Sequence, residues 1–442
     1  MLSKLEKILF YLFLFSVPLQ ARKILFYREW YFNEWQSISL YATDLFIIVL
    51  LVFWLYKYLF KTENLKFKIA RYDYFLIVFL GISVISLKNS SDFYLSLYQR
   101  VKLGEFTLFY FYLKNYAFYR FNFLGSFLAV ILGGLCQATI AIIQFFKQSD
   151  IGLQKLGESV LSVNISGVAV FFNSIGQKVM RVYGLTPHPN ILATFLFLAI
   201  FAFYFLYLYK NQKDKKIDYG FITVYVVLLF AFLLTFSRTI IFFWVLGFAA
   251  RTFLIGFNKN FRHKYWEDRR QRQKLVKILV STLVILVIFS IVYWPDVISR
   301  IKISGDEEAV QLRLFYAEKS LESKASLFGV GIGNFVNCLM IKNPNIPRSL
   351  FQPVHNIYLL IYRETGVLGI LAFALFIIFL IKDFILKTKL KHLYDYSFLI
   401  VFLSLLLIGF FDHFLWTLQQ GRIMFWAVLA LISFKGNGII KT

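Results

Sequence analysis

The stretch QPVHNIYLLIYRETGVLGIL, residues 352–371, places a histidine at the lip of an apolar run and an Arg-Glu pair about two turns further on. An unperturbed histidine titrates near pH 6.5, so His355 has the chemistry to take a proton from an attacking hydroxyl. It can equally be a hydrogen-bonding residue at a helix start. Two other stretches carry cations beside helix starts. In MRVYGLTPHPNILATF (180–195), Arg181 precedes a helix entry marked by Pro187 and Pro189, and proline suits the first helical turn. In TFSRTIIFFW (235–244), a tight turn puts Arg238 at the start of the returning helix. Helix N-termini favour anions, and arginine forks bind phosphate oxygens. Arg181 and Arg238 are therefore candidates for a phosphate or pyrophosphate cradle, although a single interfacial arginine also snorkels to lipid headgroups.

Glu364 stands nine positions after His355. On one continuous helix that is half a revolution away and about 13 Å deeper, so the two polar groups face different neighbours. A carboxylate at that depth needs a partner or water. We expect a structural pairing role for Glu364, with Arg422 or the adjacent Arg363 as its partner, or else a place in a proton pathway. Gly366 and Gly369 permit close helix packing. GVGIGN (329–334) partly mimics a dinucleotide loop but lacks the preceding strand and the final glycine, so it reads as a backbone turn. Asp412-His413 has no evident third ligand and is not read as a metal site. Ser237 is expected to cap a helix rather than act as a nucleophile.

These residues must be carried by membrane elements. Of 442 residues 59% are hydrophobic and only 16% charged, with 54 Phe and 27 Tyr, which excludes an ordinary soluble domain. Apolar runs of spanning length recur along the chain. The expected fold is all-α, a polytopic transmembrane helical bundle of about twelve spans. They fall near 6–20, 38–60, 72–88, 101–118, 122–146, 189–209, 219–235, 239–257, 276–295, 355–381, 394–411 and 417–434. The first apolar run is followed by no small-residue cleavage site and is read as a span rather than a signal peptide.

The net charge of +24 suits topology better than nucleic-acid binding, because the basic residues gather in short loops. With this span count, loops 61–71, 210–218, 258–274 and 382–392 all fall on one side, which the positive-inside rule makes cytoplasmic. Both termini are then cytoplasmic. The opposite side holds loops 147–188 and 296–354, the latter helical in part over 306–328. The whole chain, 1–442, reads as a single membrane domain with 296–354 as an external lid. Cys136 and Cys338 form no CxxC pattern and indicate neither a zinc site nor a disulfide framework.

Several of these stretches together resemble the O-antigen ligase and O-antigen polymerase superfamily of membrane glycosyltransferases, over roughly residues 160–430. RVYGLTPHPNILATFL, FSRTIIFF, RLFYAEKSLESKASLFGVGIGNF, HNIYLLIYRETGVLGIL and DHFLWTLQQGRIMFW carry the resemblance in order. The stretch after His355 is the most specific. The resemblance implies a GT-C-like helical fold with a capped cavity, acting on the external face of the bacterial cytoplasmic membrane. It implies transfer of a glycan from an undecaprenyl-pyrophosphate carrier to an acceptor sugar hydroxyl, with no cofactor, nucleotide or metal. Arg181 and Arg238 would bind the pyrophosphate. His355 would be the catalytic base or would orient the acceptor. Arg313, at the head of the external-helix motif, would be a second donor-binding or loop-anchoring residue. The leading reading is ligase-like, with a glycan, lipid or protein acceptor. A polymerase of the same superfamily is the alternative, and a polyprenyl-glycan flippase is the rival from another class.

Overall fold

The structure is a computed structural model that describes residues 2–27, 32–60, 67–209, 215–302, 308–322 and 326–434. The chain is predominantly helical, and each of the twelve expected segments holds a helix. Among the described residues seven helices are long and apolar enough to cross a membrane: Ala42–Leu59, Phe123–Lys147, Pro189–Tyr209, Lys216–Leu234, Arg238–Phe257, Arg269–Val292 and Ile357–Thr388. Leu393–Ile408 is apolar but shorter. Two short antiparallel hairpins, absent from the sequence reading, pair Arg22–Tyr27 with Ser37–Tyr41 and Val170–Phe172 with Lys178–Met180.

The chain packs as two compact units. The first comprises Met1–Ala21, Phe121–Ile303 and Leu390–Ser404, the second Arg22–Arg120, Ser304–Lys389 and Leu405–Thr442. In the first unit Pro189–Tyr209 is the central helix, with 89% of its apolar window buried. A helix apolar on all sides is one surrounded by others. Gly134 lets the Phe123–Lys147 helix approach it: a Cβ there would lie 2.7 Å from Ala199 Cβ. Hydroxyls tie three helices together, with Tyr204 Oη 3.0 Å from Tyr225 Oη and the latter 2.6 Å from Thr282 Oγ1. Such bonds hold helices together where apolar burial against lipid gives little.

In the second unit Asp73–Ile85 lies along Ile357–Thr388, with Phe75 stacked on Phe379 and Phe79 against Phe373. The Ile357–Thr388 helix departs from the expected geometry in two ways. It begins at Ile357, capped by Asn356, whose side chain accepts the N–H groups of Tyr358 and Leu359. His355 therefore precedes the cap, and its assumed rotation and depth relative to Glu364 do not hold. The helix also breaks at Gly366 (φ 76°, ψ −173°). There the segment after residue 325 pairs with the opened backbone. Val367 N–H donates to Ser326 O, Val330 N–H to Arg363 O and Gly331 N–H to Glu364 O. A Cβ on Gly366 would lie 2.3 Å from Leu327 O. GVGIGN is thus a turn that fills a helix break. The expected helix over 306–328 is Glu308–Leu321 in the structure, and positions 303–307 and 323–325 lie outside the described residues.

Candidate functional site

The chemistry-bearing residues form two clusters, one in each unit. The first surrounds the turn before Arg238. The hairpin ending at Met180 delivers Arg181, whose N–H donates to Ala169 O at 3.0 Å. The backbone after it is clamped by two glutamines of the Phe123–Lys147 helix. Gln144 Oε1 accepts Tyr183 and Gly184 N–H groups, and Gln137 Oε1 accepts Leu185 N–H at 2.7 Å. Gly184 has φ 59°, and a Cβ there would lie 2.4 Å from Gln137 Oε1. That explains the glycine of RVYG: the clamp needs bare backbone.

So held, the buried Arg181 guanidinium donates from Nε to Thr235 O (2.8 Å) and from Nη2 to Asn190 Oδ1 (2.7 Å). Ser237 Oγ donates to the same Asn190 oxygen at 2.9 Å. Ser237 is the N-cap residue, but its side chain makes no cap bond. The expected capping bond is replaced by the one to Asn190. Phe236 takes a positive φ of 46°, and its carbonyl accepts Arg300 Nη2 at 3.4 Å. The turn thus brings Arg181, Arg238 and Arg300 to one place at the N-terminus of Arg238–Phe257. Two of the three were singled out by the sequence. Arg300 was not, because it sits in a short amphipathic helix, Trp294–Ile301, with no signal of its own.

The second cluster surrounds His355. Its ring lies against Tyr316 (centroids 5.5 Å, stacked) and His413 (4.9 Å, edge to face). His413 in turn meets Trp35 edge-on at 5.0 Å, and its Nδ1 lies 2.7 Å from Thr417 Oγ1. The His355 Nδ1 atom is buried and has no hydrogen-bond partner among the described residues. Burial holds its pKa below the ordinary 6.5, the Asp412 carboxylate opposes that, and the Arg313 charge adds to it. His355 is therefore a neutral imidazole near pH 7. Arg313 and Tyr316 share the Glu308–Leu321 helix, so one helix supplies both the ring and the charge that keep it so. Tyr316 donates to Leu350 O at 2.8 Å, and burial raises its phenol to about 12.

The expected pairing of Glu364 with Arg422 takes another form. The buried Glu364 carboxylate accepts the N–H groups of Gly333 and Phe335. Arg422 donates to Trp416 O and Gln99 Oε1, each at 2.6 Å. Both residues line an open cleft of about 840 Å³, solvent at its mouth included, together with Glu34, Trp35, Tyr41 and Gln99. Sequence reasoning missed His413 as a partner of His355, having weighed it only as a metal ligand. It missed Trp35 because 378 positions separate it from His413.

No curated protein matches this chain. The family model Wzy_C, O-antigen ligase, matches residues 223–374, a stretch that includes Arg238, Arg313, His355 and Glu364. Over this region the chain is similar to the O-antigen ligase/polymerase superfamily, a family of glycosyltransferase-like membrane enzymes.

Proposed function

We propose that the chain transfers a glycan from an undecaprenyl-pyrophosphate carrier to a sugar hydroxyl of an acceptor, on the external face of the cytoplasmic membrane, and that it does so as a ligase. The observation that carries this reading is His355, a buried neutral imidazole with an unbonded Nδ1, lying inside the family match. A neutral imidazole can accept a proton, which an imidazolium cannot.

In this reaction the acceptor oxygen forms a bond to the anomeric carbon while the bond from that carbon to the carrier pyrophosphate breaks. The hydroxyl proton passes to His355. The leaving pyrophosphate takes the electron pair, and Arg181 and Arg238 stabilise its charge. A single displacement inverts the anomeric configuration. The lipid pyrophosphate already activates the sugar, so the reaction calls on no nucleotide and no metal. Arg313 tunes His355 through its charge. Glu364 is a structural residue that holds the 330–335 turn.

The test is transfer by the purified full chain in vesicles, given an undecaprenyl-pyrophosphate glycan, an acceptor panel and excess EDTA. Glycan on the acceptor with inverted linkage supports the reading. Movement of the carrier across the vesicle without transfer would replace it with the flippase. A product extended on the carrier, rather than on a lipid core or protein, would make the enzyme a polymerase.

A further inference from the structure

Arg251 is a buried cation of the first unit that the arginine cluster does not use. It stands thirteen positions after Arg238 on the Arg238–Phe257 helix, about 20 Å further along the axis and so toward the opposite membrane face. It is 3% exposed, and its Nε is buried without a hydrogen-bond partner among the described residues. A guanidinium inside a helical bundle needs an anion or water. What surrounds this one is aromatic. Its Cζ lies 5.0 Å from the Tyr204 ring centroid, and its electrostatic neighbours are the phenols of Tyr204, Tyr265 and Tyr225, with no carboxylate among them. The Tyr204 and Tyr225 hydroxyls are already engaged with each other and with Thr282. A ring face returns part of the stabilisation that a cation loses on burial, but it is no in-plane acceptor for the N–H groups of the fork.

The chain beyond Arg251 suits a membrane surface of negative charge. Asn258 ends the helix, and its side chain accepts the N–H groups of Asn260 and Phe261. A π-helical turn, Arg262–Glu267, then packs back against the helix, and such turns are frequent at functional sites. This turn sets the half-buried Tyr265 within electrostatic reach of Arg251, and Lys264 Nζ lies 5.5 Å over the Tyr265 ring. Arg262, Lys264, Arg269 and Arg270 are exposed. So is Trp266, a residue type that settles at the lipid interface. Phe253 and Phe257, exposed and stacked at 4.3 Å, add an apolar surface on the same helix.

We propose that Arg251 is the fixed cation of a lipid site, which takes the phosphate oxyanion of an acidic phospholipid from the leaflet opposite the arginine cluster. The guanidinium fork holds the phosphate beneath the Tyr265 turn, and the acyl chains lie on the Phe253–Phe257 surface. The exposed cations of the turn draw acidic lipids in preference to zwitterionic ones. The ligand is an ordinary diacyl lipid of the bilayer, neither glycan donor nor acceptor, and the site does not rest on the transfer reaction.

The test is native mass spectrometry of the full chain, delipidated in neutral detergent and given phosphatidylglycerol, phosphatidylcholine or inorganic phosphate, with the thermal midpoint read on the same samples. Wild type is expected to hold one phosphatidylglycerol at least tenfold more tightly than Arg251→Gln does, and at least tenfold more tightly than it holds phosphatidylcholine. Arg270→Gln, which removes an exposed charge, should weaken that binding less than twofold. Phosphatidylglycerol should raise the wild-type midpoint and leave that of Arg251→Gln unchanged. Arg251→Lys keeps the charge and loses the fork, so it should bind more weakly than wild type, and it decides the matter if the glutamine variant does not fold. Equal phosphatidylglycerol binding by wild type and either Arg251 variant would overturn the proposal. So would equal binding of phosphatidylcholine by wild type, or a midpoint raised as much by inorganic phosphate as by phosphatidylglycerol, which would assign Arg251 to a free anion.

Discussion

Arg181→Lys separates charge from geometry in the arginine cluster. Arg181 is 9% exposed, and its guanidinium donates to Thr235 O and Asn190 Oδ1 at once. A lysine keeps the charge, but its compact ammonium cannot reproduce the planar fork. The Thr235 carbonyl then loses the Nε bond and stays buried and unpaired, at a cost of ~1–3 kcal/mol, while Asn190 Oδ1 keeps its bond from Ser237 Oγ. A middle value of ~2 kcal/mol is about thirtyfold, since 1.36 kcal/mol is tenfold. The cost falls on folding if the turn keeps its place, and on anion binding if Thr235 and Ser237 shift and take Arg238 with them. The assay has two readouts on the same preparation: the thermal unfolding midpoint, and inhibition of transfer by inorganic pyrophosphate. We expect a weaker pyrophosphate inhibition constant, a lower midpoint, or both, summing to ~2 kcal/mol. If Arg181→Lys matches wild type in both, Arg181 is a headgroup contact of no structural consequence and the reasoning fails.

Four further outcomes are expected. His355 titrates below its ordinary 6.5, so the acid limb of the rate profile should lie below pH 6.5; Arg313→Gln removes a charge that lowers this pKa and should move the limb to higher pH. The unfolded chain binds more protons than the folded one between the folded pKa and 6.5, so the His355 contribution to stability is full above that window and is lost as pH falls through it; denaturation midpoints of wild type and His355→Gln should converge at acid pH. Gly366→Ala should destabilise by ~3 kcal/mol or more, because its backbone region is open to glycine almost alone and a Cβ would overlap Leu327 O; an unchanged unfolding midpoint would show that the break is not needed. Asn356→Ala should cost ~0.5–2 kcal/mol through the lost cap on Tyr358 and Leu359, read by the same midpoint.

The helices and the candidate cations were legible in the sequence for definite reasons. Long apolar runs leave few alternatives to a helix in a bilayer, and Pro189 and Arg238 mark helix starts within a residue. The break at Gly366 was not legible. The apolar pattern runs through it, and only pairing with Ser326 and Leu327, some forty positions away, makes it stable. The same limit hid the environment of His355. Tyr316 and His413 come from stretches 39 and 58 positions away in sequence, and nothing in either stretch announces a stacked ring. The glutamine clamp on RVYG was missed because Gln137 and Gln144 look like ordinary polar positions in an apolar helix. Their two-turn spacing, which puts both on one face, gains meaning only once Gly184 and Leu185 approach.

The most direct measurement of the central claim is single-turnover transfer from an undecaprenyl-pyrophosphate glycan by wild type, His355→Ala and Arg238→Ala, with donor affinity measured separately. The account predicts that His355→Ala binds donor as wild type does but loses the chemical step by at least a hundredfold, in the range of a positioned base. It predicts that Arg238→Ala loses donor affinity as well. Transfer by His355→Ala at the wild-type rate would contradict it.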